Sequence, residues 1–350
     1  MINLSNLTYQ ELARFVTETL NEPKFRAKQI FGWIYGGPTK DGSFRSGVQS
    51  FDEMNNLPKT LREKLTAQAF LTSLDVLRTQ VSKLDGTRKF LFRLADGNAI
   101  ESVFMRYKFG NSICVSSQAG CRMGCRFCMT GRQGFHGNLS RADILNQFIS
   151  IDETMDLSNA VFMGMGEPMD NYSEVSAAIK VLTAPWGFAW SPKRVTVSTV
   201  GVIPELRRYL DGERCHIAVS LHNPFHDERL EMMPAEKAWP IADVVDLLRG
   251  YDFSGQRRVS FEYTMFSGFN DDKRHADALI RLLRGLECRV NLIRFHKIPD
   301  FPYETTSERK MEDFRDRLNN NGILCTIRAS RGEDILAACG LLAGQHSQRH

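Results

Sequence analysis

No stretch of this chain stays apolar for long enough to span a bilayer, and Met1-Ile2-Asn3-Leu4 does not lead from a basic segment into a hydrophobic one. A membrane span, a secretory signal and a transit peptide are therefore not expected, and the sequence reads as that of a soluble, cytoplasmic protein. Internal repeats and low-complexity tracts are also missing. Net charge is small, +4 at pH 7, which is too little to establish a nucleic-acid partner. Without an export signal, the eight cysteines argue for metal or redox chemistry over a disulfide framework. What is present is ordinary for a globular protein: 350 residues, 42% hydrophobic and 25% charged, enough for one large domain and a smaller accessory one.

Residues 8 to 66 carry helical periodicity, with Leu57, Leu61 and Leu65 at i+4 spacing and Ile30, Trp33 and Ile34 beside Lys24, Arg26 and Lys28. This predicts a mainly helical accessory domain over 1–70. Alternation then takes over. Lys89 to Leu94 and Ile100 to Met105 flank the turn Asp96-Gly97-Asn98, which predicts a β-hairpin extension within 71–112. From 113 to 345, short apolar strands (Ile113–Ser116, Ala160–Met163, Val195–Ser198, His216–Leu221, Val259–Met265, Val290–Phe295, Ile323–Ile327) alternate with amphipathic helical stretches. Ser140 with Asp143 makes a capping box, and Ile241, Val244, Val245 and Leu248 share a helix face. The rhythm predicts an α/β fold, a partial or closed βα barrel, with a short tail at 346–350. In such a fold, loops after the strands carry the chemistry.

One such loop holds Cys121, Cys125 and Cys128 in a CxxxCxxC triad directly after a predicted strand. Three thiolates can hold a four-iron cluster and leave one iron open to an outside ligand. Structural zinc prefers paired CxxC spacings or added histidines, and His136 is a solitary residue eight positions further on. Buried, inert cysteines would be the bland reading; two glycines among them disfavour it. Between Arg78 and Arg132 the charge is uneven, with ten basic residues against three acids, an excess of seven beside the triad. On charge alone that excess reads as a solvated face.

The triad, with Phe127 between its last two cysteines, resembles the radical S-adenosylmethionine (SAM) superfamily. Further segments are similar to the RlmN/Cfr RNA adenine methyltransferases, closest to the RlmN branch: Cys114 to Cys121 (CVSSQAGC), Gln133-Gly134-Phe135, Gly164 to Pro168 (GMGEP), Ser198 to Gly201 (STVG), Ser220-Leu221-His222 and Arg331 to Gly340 (RGEDILAACG). The resemblance runs from about residue 23 to residue 344.

That resemblance implies a cofactor pair, a 4Fe-4S cluster on Cys121, Cys125 and Cys128 and two SAM molecules per turnover, with SAM lined by Gly166, Glu167, Ser198, Ser220, Leu221 and His222. His296, in Phe295 to Pro299, stands where relatives carry an Asn in Trp-Asn-Pro-Phe; an imidazole can donate or accept in place of an amide, so the SAM contact is carried to it. Cys339 would take a methyl group and become S-methylcysteine; Glu101 would be the proton acceptor; Cys114 would resolve the covalent intermediate through a transient disulfide with Cys339. By themselves Cys114 and Cys339 read as core thiols, and Glu101 as an exposed strand carboxylate. Cys215, Cys288 and Cys325, in or beside predicted strands, read as core.

The implied reaction is methylation of C2 of a specific adenine in 23S rRNA, with a tRNA adenine as an added substrate. The implied partners are that RNA, a flavodoxin- or ferredoxin-type electron donor and a thiol reductant; a monomer is expected. An adenine in folded RNA must be unstacked to be reached. The basic window 78–132, notably Arg88 and Lys89, together with Lys24, Arg26 and Lys28, is then the expected RNA surface. Methylation at C8 of the same adenine is the alternative within the family, and a zinc-stabilised RNA-binding module without catalysis is the alternative from another class.

Overall fold

A computed structural model describes residues 1–38, 44–45, 47–108, 110–255 and 257–344; the expected tail at 346–350 lies outside the described residues. Seven strands run parallel in one sheet: Asn111–Cys114, Leu157–Phe162, Val195–Thr199, His216–Ser220, Val259–Met265, Arg289–Arg294 and Leu324–Ile327. Each falls within a few residues of its predicted counterpart. Among the described residues Leu324–Ile327 is an edge strand that pairs only with Arg289–Arg294, so the barrel is partial, not closed.

The alternation along these strands explains what sits on each face. Val195, Val197, Ile217, Val219, Phe261, Tyr263, Val290 and Leu292 are buried beneath the helices, for example against Leu206, Val244 and Leu279. The opposite face is polar: Thr196, Ser198, Ser220, Ser260, Glu262, Thr264, Asn291 and Thr326 occupy the alternate positions. Hydrogen bonds knit that face across strands, from Asn291 to Glu262 at 2.8 Å and from Thr326 to Asn291 at 2.9 Å. Barrels whose interior is filled by branched apolar layers have no room there; this one has a polar lumen.

Beyond Asn111–Cys114 the sheet continues as three antiparallel strands, Asp75–Val81, Arg88–Arg93 and Ala99–Met105. The predicted hairpin is thus part of a meander that belongs to the main sheet. Its first strand escaped the sequence reading because it is an edge, with most of its residues exposed and little apolar alternation. The accessory domain is helical as predicted, with helices Tyr9–Arg14, Phe25–Ile34 and Lys59–Gln68 closed by a parallel pairing of Ile2–Asn3 with Ala69–Phe70. Leu57, Leu61 and Leu65 are buried in it. It docks through Tyr9 and Phe31, whose rings lie 5.4 and 4.7 Å from that of Trp186.

After the last strand, residues 328 to 344 cross the open side of the barrel to the antiparallel strands. Asp85 accepts the Gly332 N–H at 3.1 Å, Ser82 Oγ donates to Asp334 at 2.6 Å, and Lys89 Nζ donates to the Leu336 carbonyl at 3.2 Å. This crossing carries Cys339 to the mouth of the site.

Candidate active site: a three-cysteine cavity at the strand ends

Cys121, Cys125 and Cys128 line one cavity at the C-terminal ends of the parallel strands, together with Phe127, Gly164, Gly166, Glu167, Ser198, Ser220, His222, Glu262, Arg328 and Cys339. The cysteine loop is pinned by backbone bonds: Cys121 N–H donates to Gly134 O at 2.8 Å and Met129 N–H to Gly340 O at 2.8 Å. Gly120 is required where it stands, since its φ is +73° and a Cβ would lie 2.0 Å from Gly134 O. Burial pushes the Cys121 thiol up to about 12 and raises Cys125 and Cys128 as well, and the three groups repel one another. Three thiolates held here need a cationic partner, and an iron–sulfur cluster supplies one. The donor set and its placement fit the group.

On the far wall, Gly166 has φ +100°, and a Cβ there would lie 2.5 Å from Gln118 Cβ. The Glu167 carboxylate is buried and accepts the N–H groups of Met169 at 3.0 Å and Val200 at 2.9 Å; burial raises it to about 7. Ser198 and Ser220 line the cavity from two adjacent strand ends. His222 is a non-glycine residue at φ +55°, buried, with Nδ1 accepting the Thr264 N–H at 2.9 Å and its ring edge against Phe127. Burial lowers it to about 3, so the imidazole is neutral.

Cys339 faces this cavity and a smaller lateral one bounded by Met105, Tyr107, His296 and Arg331. Cys114 is buried at the end of its strand, near enough to Cys339 for their charges to interact, and burial raises its thiol to about 12. Both thiols act on the Arg328 guanidinium, Cys339 most strongly, and Glu262 Oε2 is 3.8 Å from it. That Glu262 oxygen is buried without a hydrogen bond and points into the lumen.

Other expected residues stand elsewhere. Leu221 is fully buried and contributes through its backbone, its carbonyl accepting from Arg229 Nε at 2.9 Å. His296 lines the lateral cavity, not the main one, with Nε2 3.0 Å from Ser330 Oγ. The Glu101 carboxylate is buried and already engaged, with Lys89 Nζ at 2.9 Å, Ala343 N–H at 2.7 Å and Gly344 N–H at 3.2 Å. It does not line the cavity. One residue of the expected RNA surface is corrected by its surroundings: Lys89 is buried and spent on Glu101, while Arg88 stays partly exposed in an ion pair with buried Glu153. Arg122 and Arg126 pair with Asp170 and Glu231. Of the three cysteines expected in the core, Cys215 and Cys325 are buried, while Cys288 is partly exposed.

Sequence reasoning missed Arg229, Glu236, Glu262 and Arg328. Arg229 is fully buried; it pairs with Glu236 and donates to the carbonyls of Val200 at 3.0 Å and Ser220 at 2.8 Å, tying together the strand ends that carry the cavity wall. No local motif announces it. Glu262 was legible in principle, because Ser260, Glu262 and Thr264 put polar residues at period two within an apolar strand.

A partial βα barrel with three cysteines and a glycine-rich wall at its strand ends is a radical SAM core. Residues 115–279 match the radical SAM superfamily model, and residues 2–71 match the model described as the ribosomal RNA large subunit methyltransferase N-terminal domain. A probable dual-specificity RNA methyltransferase RlmN of Porphyromonas gingivalis is 50% identical over 97% of this chain and 96% of its own length; a dual-specificity RNA methyltransferase RlmN of Syntrophus aciditrophicus is 40% identical over 98% and 97%. The crystal structure of a radical SAM methyltransferase from Sphaerobacter thermophilus superposes with a TM-score of 0.89 at 37% identity, covering 99% of this chain and all of that one. The chain belongs to the RlmN family of radical SAM RNA methyltransferases, whose cofactors are a 4Fe-4S cluster and SAM.

Proposed function

We propose that this protein methylates C2 of a specific adenine in 23S rRNA. The observation that carries the reading is the placement of Cys339, far from the triad in sequence, on the wall of the cavity lined by the three cluster cysteines. Relatives are named dual-specificity RNA methyltransferases, which supports a second RNA substrate, taken here to be a tRNA adenine. Exposed Lys24, Phe25 and Lys28 on the accessory domain supply charge and a stacking face for RNA.

Cys121, Cys125 and Cys128 would hold a cluster that would supply reversible one-electron chemistry to SAM bound beside it. Gly166, Glu167, Ser198, Ser220, Leu221 and His222 shape the SAM pocket, and His296 acts from the lateral side. Cys339 sulfur takes a methyl group from a first SAM by nucleophilic attack, releasing S-adenosylhomocysteine. After hydrogen abstraction from that methyl, the carbon on Cys339 sulfur bonds to adenine C2. Glu101 then takes the C2 proton as the adduct's odd electron returns to the one-electron carrier, leaving a closed-shell thioether between Cys339 and C2. Cys114 attacks Cys339 sulfur, the carbon–sulfur bond breaks to release methylated RNA, and the two cysteines remain as a disulfide for a thiol reductant to open.

Peptide mass spectrometry of protein purified with an intact cluster and supplied with SAM tests the reading. The peptide containing Cys339 is expected to be one methyl group heavier; a methyl on any other cysteine, or on none, contradicts it.

A further inference from the structure

The lumen does not end at the cluster. A cavity at the opposite, strand-N-terminal end is lined by Tyr107, Asn159, Thr196, Lys193, Arg194 and Arg328. Arg328 also lines the cluster cavity and the lateral one, and Tyr107 lines both the lateral cavity and this lower one. Arg328 thus stands at the boundary shared by the cluster cavity, the lateral cavity and the lower mouth. The inward-facing side of the parallel strands between them is polar, and Glu262 Oε2 lies buried there, ion-paired to Arg328 at 3.8 Å.

The rim of that mouth is basic. Lys193 and Arg194 precede one strand, Arg258 the next but one, and Arg289 opens another, all exposed. Lys193, Arg258 and Arg289 act together on half-buried His216, which burial and these cations hold down at about 4. Carboxylates at the strand starts are fewer, Asp156 and Glu287. Arg194 bonds Asn159 at 3.1 Å, and the Arg331 guanidinium stands 5.2 Å from the Tyr107 ring. None of this charge serves the cluster or SAM, which occupy the other end. A cationic rim around an aromatic ring and a polar shaft suits a nucleotide drawn out of a strand: phosphates outside, base inside.

We propose that the RNA lies across the strand-N-terminal mouth of the barrel, with phosphates on Lys193, Arg194 and Arg289 and the target adenosine passing Tyr107 to reach Cys339. The inference rests on the function proposed above and adds a surface outside the basic window 78–132 and the accessory domain.

The test compares Lys193→Glu and Arg289→Glu with Lys180→Glu, an exposed, charge-matched control on the outer helix Tyr172–Thr183. The probe is a transcribed 23S rRNA fragment carrying the target adenine, titrated at several salt concentrations. Each mouth variant is expected to weaken binding several-fold at low salt and to reduce the slope of log affinity against log salt by about 1, as loss of one phosphate contact requires. Melting temperatures of all variants are compared to confirm folding. Mouth variants that bind like Lys180→Glu, in a preparation whose unmodified chain methylates the fragment, would overturn the mouth while leaving the proposed function standing. An unmodified chain that binds through the mouth but yields no methyladenosine would overturn the function instead.

Discussion

Glu101 accepts the N–H of Ala343 at 2.7 Å, a bond between the antiparallel extension and the segment that carries Cys339. The same carboxylate takes Gly344 N–H and pairs with Lys89, which in turn holds the Leu336 carbonyl. Gly344 is needed for this approach: its φ is +59°, and a Cβ would lie 2.5 Å from Ala99 O. Glu101 therefore fastens the C-terminal segment on both sides of Cys339. For Glu101 to take a proton from adenine, that fastening has to open.

Glu101→Gln and Glu101→Ala separate the two roles. Alanine leaves two backbone N–H groups and the buried Lys89 unpaired, a loss of about 2–4 kcal/mol, read as a lower unfolding midpoint and faster proteolysis near residue 340. Glutamine keeps an acceptor for the amides but is a poor base. It is expected to hold the segment, to methylate Cys339, and to stall before product release. Full turnover by the glutamine variant would remove Glu101 from proton transfer.

Cys114→Ala is expected to trap RNA covalently on Cys339, visible as a slow band on a denaturing gel, because nothing then attacks Cys339 sulfur. Burial raises the Cys114 thiol to about 12, so only a small thiolate fraction exists at neutral pH. When resolution limits turnover, the rate should rise with pH about tenfold per unit below that value. A flat profile between pH 7 and 9 would show that resolution is not the slow step.

His222 links the SAM wall to acid sensitivity. Its folded value, about 3, lies below the ordinary 6.5, so the unfolded chain binds the extra proton as pH falls through 6.5 and stability declines until about pH 3. Between pH 7 and pH 5 this one group removes about 2 kcal/mol. His222→Asn, which can still accept the Thr264 N–H, should remove that part of the decline in urea unfolding at the two pH values. An unchanged pH dependence would contradict it.

Arg229 and Glu236 form a buried pair whose arginine also bonds the carbonyls of Val200, Ser220 and Leu221. Glu236→Ala leaves the guanidinium uncompensated and should cost about 3–5 kcal/mol. Arg229→Lys cannot reproduce the fork of donors and is expected to loosen the SAM wall, measured as weaker SAM binding by calorimetry.

Much of this was legible in the sequence, for local reasons. The seven parallel strands announced themselves by short apolar runs, and the cluster cysteines by spacing within one loop. The Ser140 capping box was equally local, its Oγ accepting the Asp143 N–H at 3.2 Å. Contacts between distant segments were hidden. Nothing near Lys89 signals that its ammonium is consumed by Glu101, so a count of basic residues from 78 to 132 took one buried lysine for surface, although most of the others are exposed. Arg229 and Arg328 look like any surface arginine until the fold carries them inside. Their roles depend on carbonyls and thiols contributed by other strands.

The central claim is that Cys339 delivers its methyl carbon to adenine C2. Nucleoside mass spectrometry after anaerobic reaction of the cluster-loaded protein with 23S rRNA and methyl-deuterated SAM tests it most directly. The account expects 2-methyladenosine carrying deuterium, absent with Cys339→Ala. An 8-methyladenosine product, or 2-methyladenosine formed without Cys339, would contradict it.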